Sequence, residues 1–65
     1  MDNDRIEGNW TQIKGRIQEA YGVLTDDEIE QAKGNREQLE GLMQEKLGKS
    51  KDEARQALDS VLEKL

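Results

Sequence analysis

Residues 8–22 read GNWTQIKGRIQEAYG, and residues 34–48 read GNREQLEGLMQEKLG. Set 26 positions apart, the two stretches are identical at seven of fifteen places: Gly8/Gly34, Asn9/Asn35, Gln12/Gln38, Gly15/Gly41, Gln18/Gln44, Glu19/Glu45 and Gly22/Gly48. Ile13/Leu39, Ile17/Met43 and Tyr21/Leu47 keep apolar character. With one residue deleted from the second linker the match runs on, Thr25-Asp26-Asp27-Glu28 against Ser50-Lys51-Asp52-Glu53 and Gln31-Ala32 against Gln56-Ala57. Self-similarity of this density marks two copies of one supersecondary unit. The halves, about 8–32 and 34–58, are expected to form a single domain over 1–65.

Each half reads as a helical hairpin. Thr25-x-x-Glu28 and Ser50-x-x-Glu53 fit the capping box, in which the hydroxyl accepts one free helix amide and the carboxylate accepts another. Leu24 and Ile29 flank the first box as a hydrophobic staple. Asn9-x-x-Gln12 and Asn35-x-x-Gln38 are weaker caps of the same kind. Gly22, Gly34 and Gly48 fall where helices end and a left-handed residue is wanted. Helices are therefore expected near 9–21, 26–33, 35–47 and 51–64, with residues 2–7 as a further turn on the first.

The apolar spacing agrees. Trp10, Ile13, Ile17, Ala20 and Tyr21 form one stripe at three- and four-residue steps, and Leu39, Leu42, Met43 and Leu47 another. Ala54, Ala57, Leu58, Val61, Leu62 and Leu65 give the longest. No segment sustains a period of two. Short hairpins cannot bury such stripes alone. The expected fold class is all-α: a small four-helix domain of two duplicated helical hairpins packed on each other.

Composition limits the function. The chain has 65 residues, 15 acidic against 10 basic, a net charge of −5, six Gly, and no Cys, His, Pro or Phe. A domain of this size is marginal in stability, and disulfides or structural zinc cannot reinforce it without Cys and His. No apolar run approaches the roughly 20 residues that span a bilayer. The acidic start Met1-Asp2-Asn3-Asp4-Arg5 is unlike a secretory signal, so the cytoplasm is the expected compartment. A net-negative surface repels polyanions, so neither nucleic acid nor membrane is an expected partner.

The run Gly8-Asn9-Trp10-x-Gln12-Ile13-Lys14-Gly15, then Gln18-Glu19-x-Tyr21-Gly22-x-Leu24-Thr25-Asp26-Asp27, resembles the CsbD-like family of small bacterial stress proteins. So does Gly34-x-Arg36-x-Gln38-Leu39-x-Gly41-x-Met43-Gln44, and the resemblance covers about residues 4 to 58. It implies a cytoplasmic bacterial protein of the general stress response with a small helical fold. It implies no reaction, and it carries over no functional residues.

Candidate chemistry is sparse. General acid–base work would fall to carboxylates, Lys or Tyr21, and covalent work to Thr11, Thr25, Ser50 or Ser60; Thr25 and Ser50 are better read as caps. So small a domain offers little room for a substrate pocket, and neither enzymatic activity, a small-molecule substrate nor a cofactor is expected. Asp26, Asp27, Glu28 and Glu30 lack the ligand spacing of a calcium loop and suit a helix N-terminus instead, so no metal is expected. Lys14 and Arg16, with Lys46, Lys49 and Lys51, are the local basic concentrations, and the duplication repeats neither. The last helix has a mixed polar face, whereas a membrane-surface helix carries a basic one.

Three positions stand out as partner-contact or close-packing positions. Trp10 shares its stripe with Ile13 and Ile17, which favours the core over an aromatic contact. Gly15 and Gly41 sit mid-helix, where glycine costs roughly 0.5–1 kcal/mol relative to alanine. Close approach of two helices is the expected reason for them, with a flat patch for a partner, or a deliberately softened helix, as alternatives. Two functions follow: a small interaction module that binds a protein partner during stress, or a hydrophilin-like protectant that shields other proteins under osmotic or desiccation stress, for which high charge and few aromatics are suited.

Overall fold

The computed structural model describes residues 2–65, with Asp2 described by its backbone only; Met1, part of the expected 1–65 domain, lies outside the described residues. The described residues are helical without a strand, in the order α1 (Asp2–Gly8), α2 (Trp10–Ala20), α3 (Asp26–Gln31), α4 (Arg36–Leu47) and α5 (Lys51–Glu63). The all-α expectation holds, and α2 to α5 fall within two residues of the expected helices. The count differs: among the described residues there are five helices, not four, because residues 2–8 form a helix of their own.

The break between α1 and α2 is local chemistry at Asn9. Its amide nitrogen still donates to the Arg5 carbonyl (3.2 Å), and its side-chain Nδ2 donates to the same oxygen (3.0 Å). The side chain is thereby turned back onto α1 and makes no cap bond to α2, contrary to the expected Asn9–Gln12 cap. The Asn9 carbonyl then accepts from Ile13 N (2.9 Å), which starts the new helix. Tertiary contacts hold α1 in place. Ile6 is fully buried, Arg5 Nη2 donates to the Leu62 carbonyl near the end of α5 (2.7 Å), and Asn3 Oδ1 accepts from Arg36 N at the start of α4 (2.9 Å).

Both capping boxes form. Thr25 and Ser50 each accept from the amide three residues on, and Glu28 and Glu53 accept from the Thr25 and Ser50 amides (3.0 and 2.8 Å). Asn35 Oδ1 accepts from Gln38 N (3.0 Å), as expected. Gly34 (φ +75°) and Gly48 (φ +69°) take the left-handed backbone that L side chains adopt at a cost. Gly22 does not. α2 ends instead at Tyr21, and the chain leaves through a turn closed by Leu24 N–H to the Tyr21 carbonyl (3.0 Å), which asks no positive φ of Gly22.

One cluster of buried side chains draws on all five helices. Ile6 comes from α1, Trp10, Ile13 and Ile17 from α2, Ile29 from α3, Leu39 and Met43 from α4, and Ala54, Leu58, Val61 and Leu62 from α5. Leu24 and Ala32 close it from the turns, and Tyr21, Leu42, Leu47, Ala57 and Leu65 pack at its edge. No buried side-chain nitrogen or oxygen among the described residues lacks a hydrogen-bond partner. The radius of gyration, 10.3 Å, is close to the roughly 11 Å of a folded chain this long. The hydrophobic term is thus gathered in one place, with α4 packed most extensively on α5, and α2 against α3 and α5.

Candidate functional site

The polar side chains that could do chemistry gather at two helix contacts. In the first half, Trp10 Nε1 donates to Glu30 Oε1 (2.7 Å), and Lys14 Nζ reaches the same oxygen (3.1 Å) and Asp26 Oδ1 (3.1 Å). The Trp10 and Lys14 bonds hold the Glu30 carboxyl below its ordinary range, while the bonds to Asp26 and Glu30 raise Lys14. Each shift favours the charged form of its group. Trp10 itself is buried with the core, its indole nitrogen satisfied by α3.

In the second half Arg36 stands at the repeat position of Trp10. Its guanidinium bonds Glu40 (2.8 Å) and Asp59, and reaches the Arg55 carbonyl (3.4 Å). Burial works against its charge, but Asp59 and Glu40 outweigh that and raise it further. Glu28 is held below the ordinary carboxylate range by the Thr25 amide and then by Lys46 (3.2 Å), and Glu53 by the Ser50 amide. Asp26, Glu28 and Glu30, three of the four carboxylates of the expected acidic cluster, are thus occupied by Lys14, Gln18, Thr25, Lys46 and Trp10. Among the described residues no three His, Cys, Asp or Glu side chains come together as a metal site.

Gly15 is exposed on α2, and Gly41 is half-buried on α4 beside a groove of about 350 Å³ between α3 and α4, where Ala32 and Leu42 also lie. A Cβ built on either glycine meets nothing within 4 Å. Close packing between two helices of this chain, the expected reason for both, is therefore corrected: no helix approaches closely enough for a methyl group to be excluded. Arg16 and Lys64, 48 residues apart in sequence, meet across a smaller hollow between α2 and α5. That pairing escaped the sequence reading because nothing in local spacing brings them together.

The profile described as CsbD-like matches residues 4–56. The chain belongs to the CsbD-like family. A UPF0337 protein of Bordetella pertussis is 46% identical over 54 residues, covering 83% of this chain and 82% of its own. The UPF0337 protein YjbJ of Escherichia coli O6:H1 is 45% identical over 60 residues (92% and 87%), and one of Rhodopseudomonas palustris 49% over 59 residues (91% and 89%). No solved structure matches the chain. The matched span takes in α2, α3 and α4 completely, with most of α1, the start of α5 and most of the polar contacts above, while Asp59 and Leu62 in the rest of α5, and Lys64 after it, lie past it. Among the described residues of this CsbD-like protein, no helix is long and apolar enough to cross a membrane.

Proposed function

We propose that this protein is a small, non-enzymatic interaction module of the bacterial general stress response, working in the cytoplasm by binding a protein partner. The observation that carries the reading is the open space at Gly15 and Gly41. Two helices carry glycine at a cost of roughly 0.5–1 kcal/mol each, and no contact within the chain accounts for it; a flat helix face kept clear for another molecule does. Membership of the CsbD-like family supports the stress setting. The commitment of Thr25, Ser50, Glu28, Glu30 and Glu53 to caps and clamps supports a non-catalytic role. Gly15 and Gly41 are the contact positions, whereas Trp10, buried and fastened to Glu30, belongs to the core. Neither nucleic acid, membrane, small-molecule substrate nor cofactor forms part of this reading.

The two halves arose by duplication of one helical hairpin in this account. Besides the sequence match, equivalent contacts support it: Trp10 reaches residue 30, Arg36 reaches residue 55, and 30 and 55 are the same position of the repeat.

The second reading, a hydrophilin-like protectant, is favoured by composition, with 38% charged and 3% aromatic residues. Affinity capture from stressed cells separates the two. The module reading expects one partner in stoichiometric amount, reduced when Gly15→Glu or Gly41→Glu blocks the face. Diffuse association with many proteins, unchanged by either substitution, would favour the protectant and end the module reading.

A further inference from the structure

The hollow between α2 and α5 measures about 110 Å³, and its lining includes the apolar Ala57 and Val61, the polar Ser60 and Glu19, and the cationic Arg16 and Lys64. It is too small for the several-hundred-Å³ pocket of a free small molecule and suits a single aliphatic side chain. Its cations differ from those of the two polar helix contacts described above. Lys14, Arg36 and Lys46 are each paired with carboxylates. Among the described residues, neither Arg16 nor Lys64 makes an ion pair, and Glu19, the one carboxylate on the hollow, pairs with neither. Lys49 adds a third positive charge, its Nζ 5.4 Å from the ring centre of Tyr21, which also borders the hollow.

A chain of net charge −5 thus sets two cations against one carboxylate around this small hollow. The groove between α3 and α4 offers no such excess, since its Glu28 and Glu45 already face Lys46.

Resting on the interaction-module reading, we propose that this hollow docks an acidic peptide segment of the partner, with an aliphatic side chain between Ala57 and Val61 and flanking carboxylates on Arg16 and Lys64. A short acidic segment meets only the positive patch. A nucleic acid or an anionic bilayer would also meet the surrounding negative surface and be repelled.

The test is a titration of the 15N-labelled full chain with the blocked peptide Asp-Glu-Leu-Glu-Asp, and with Asn-Gln-Leu-Gln-Asn as its neutral counterpart, followed by NMR. The acidic peptide is expected to move the amide signals of Arg16, Tyr21, Ala57 and Lys64, and to lose affinity as salt is raised. The paired Arg16→Gln and Lys64→Gln variant, both positions being exposed, should melt like the parent and bind about tenfold more weakly, the loss of two exposed charge pairs. Equal binding of the two peptides, binding unaffected by the paired variant, shifts confined to another surface, or no shifts at all would overturn the proposal. Loss of the hollow leaves the module reading intact, because that reading stands or falls on stoichiometric capture and its response at Gly15 and Gly41.

Discussion

Replacing Gly15 or Gly41 by alanine should make the protein more stable. Each glycine lies inside a helix, Gly15 in α2 and Gly41 in α4, and a methyl group added at either meets no atom within 4 Å. There is consequently no steric term to oppose the helix preference of alanine, which is about 0.8–1 kcal/mol over glycine in a helix interior. At about 4–8 °C per kcal/mol for a domain of this size, each substitution raises Tm by roughly 3–8 °C. The two sites lie on different helices, so the double variant should approach the sum. Thermal melts by circular dichroism read this directly. Gly48→Ala is the control: φ there is +69°, so the same methyl group must be held in a left-handed backbone and Tm should fall. A fall or no change at Gly15 and Gly41 would refute the reasoning, and would mean that something in the folded chain does need the bare backbone there. If stability rises while capture of the partner weakens, the glycines are kept for binding.

Other outcomes follow from the caps, α1 and the clamped carboxylates. Thr25→Ala and Ser50→Ala each remove a side-chain acceptor for a free helix amide and should cost about 1 kcal/mol apiece by denaturant melts. Ile6→Ala empties a fully buried position and should cost about 2–5 kcal/mol; a negligible effect would mean that α1 is not part of the core. Glu28, Glu30 and Glu53 have carboxyl groups held below their unfolded value. Their contribution is present above that value, near 4.3, and is lost as pH falls through the lower folded value. Lys14 is shifted upward, so its contribution persists through neutral pH and is lost only as pH rises past the folded value above about 10.4. Melting temperature against pH should therefore fall on the acid side below about 4.3, with the Lys14 component lost only in strong alkali.

Much of the fold was legible because helix ends are written locally. A hydroxyl three residues before a glutamate, or a glycine after an apolar stripe, needs no distant partner to be recognised, and α3, α4 and α5 begin where those signals put them. The misreadings occurred where tertiary contacts decide. α1 was reduced to a turn, although Ile6 extends the stripe of Trp10, Ile13 and Ile17 one step back. Asn9 was read as a cap because its competing acceptor, the Arg5 carbonyl, matters only if α1 exists. Gly22 follows a helix just as Gly48 does, but the Tyr21–Leu24 turn removes the need for positive φ. The site was less legible than the fold. Spacing can put Gly15 and Gly41 mid-helix but cannot say what faces them, and it cannot bring Arg16 to Lys64.

Native-state hydrogen exchange tests most directly whether residues 2–65 form an ordered module with a fixed surface. The amides of Ile13, Leu39 and Leu58, within helices and with fully buried side chains, should exchange only by global unfolding. Their protection should correspond to roughly 3–10 kcal/mol for a chain this long. Protection below about 2 kcal/mol at all three would contradict the account, because ordinary folded domains lie well above that, and would leave a chain that folds only conditionally.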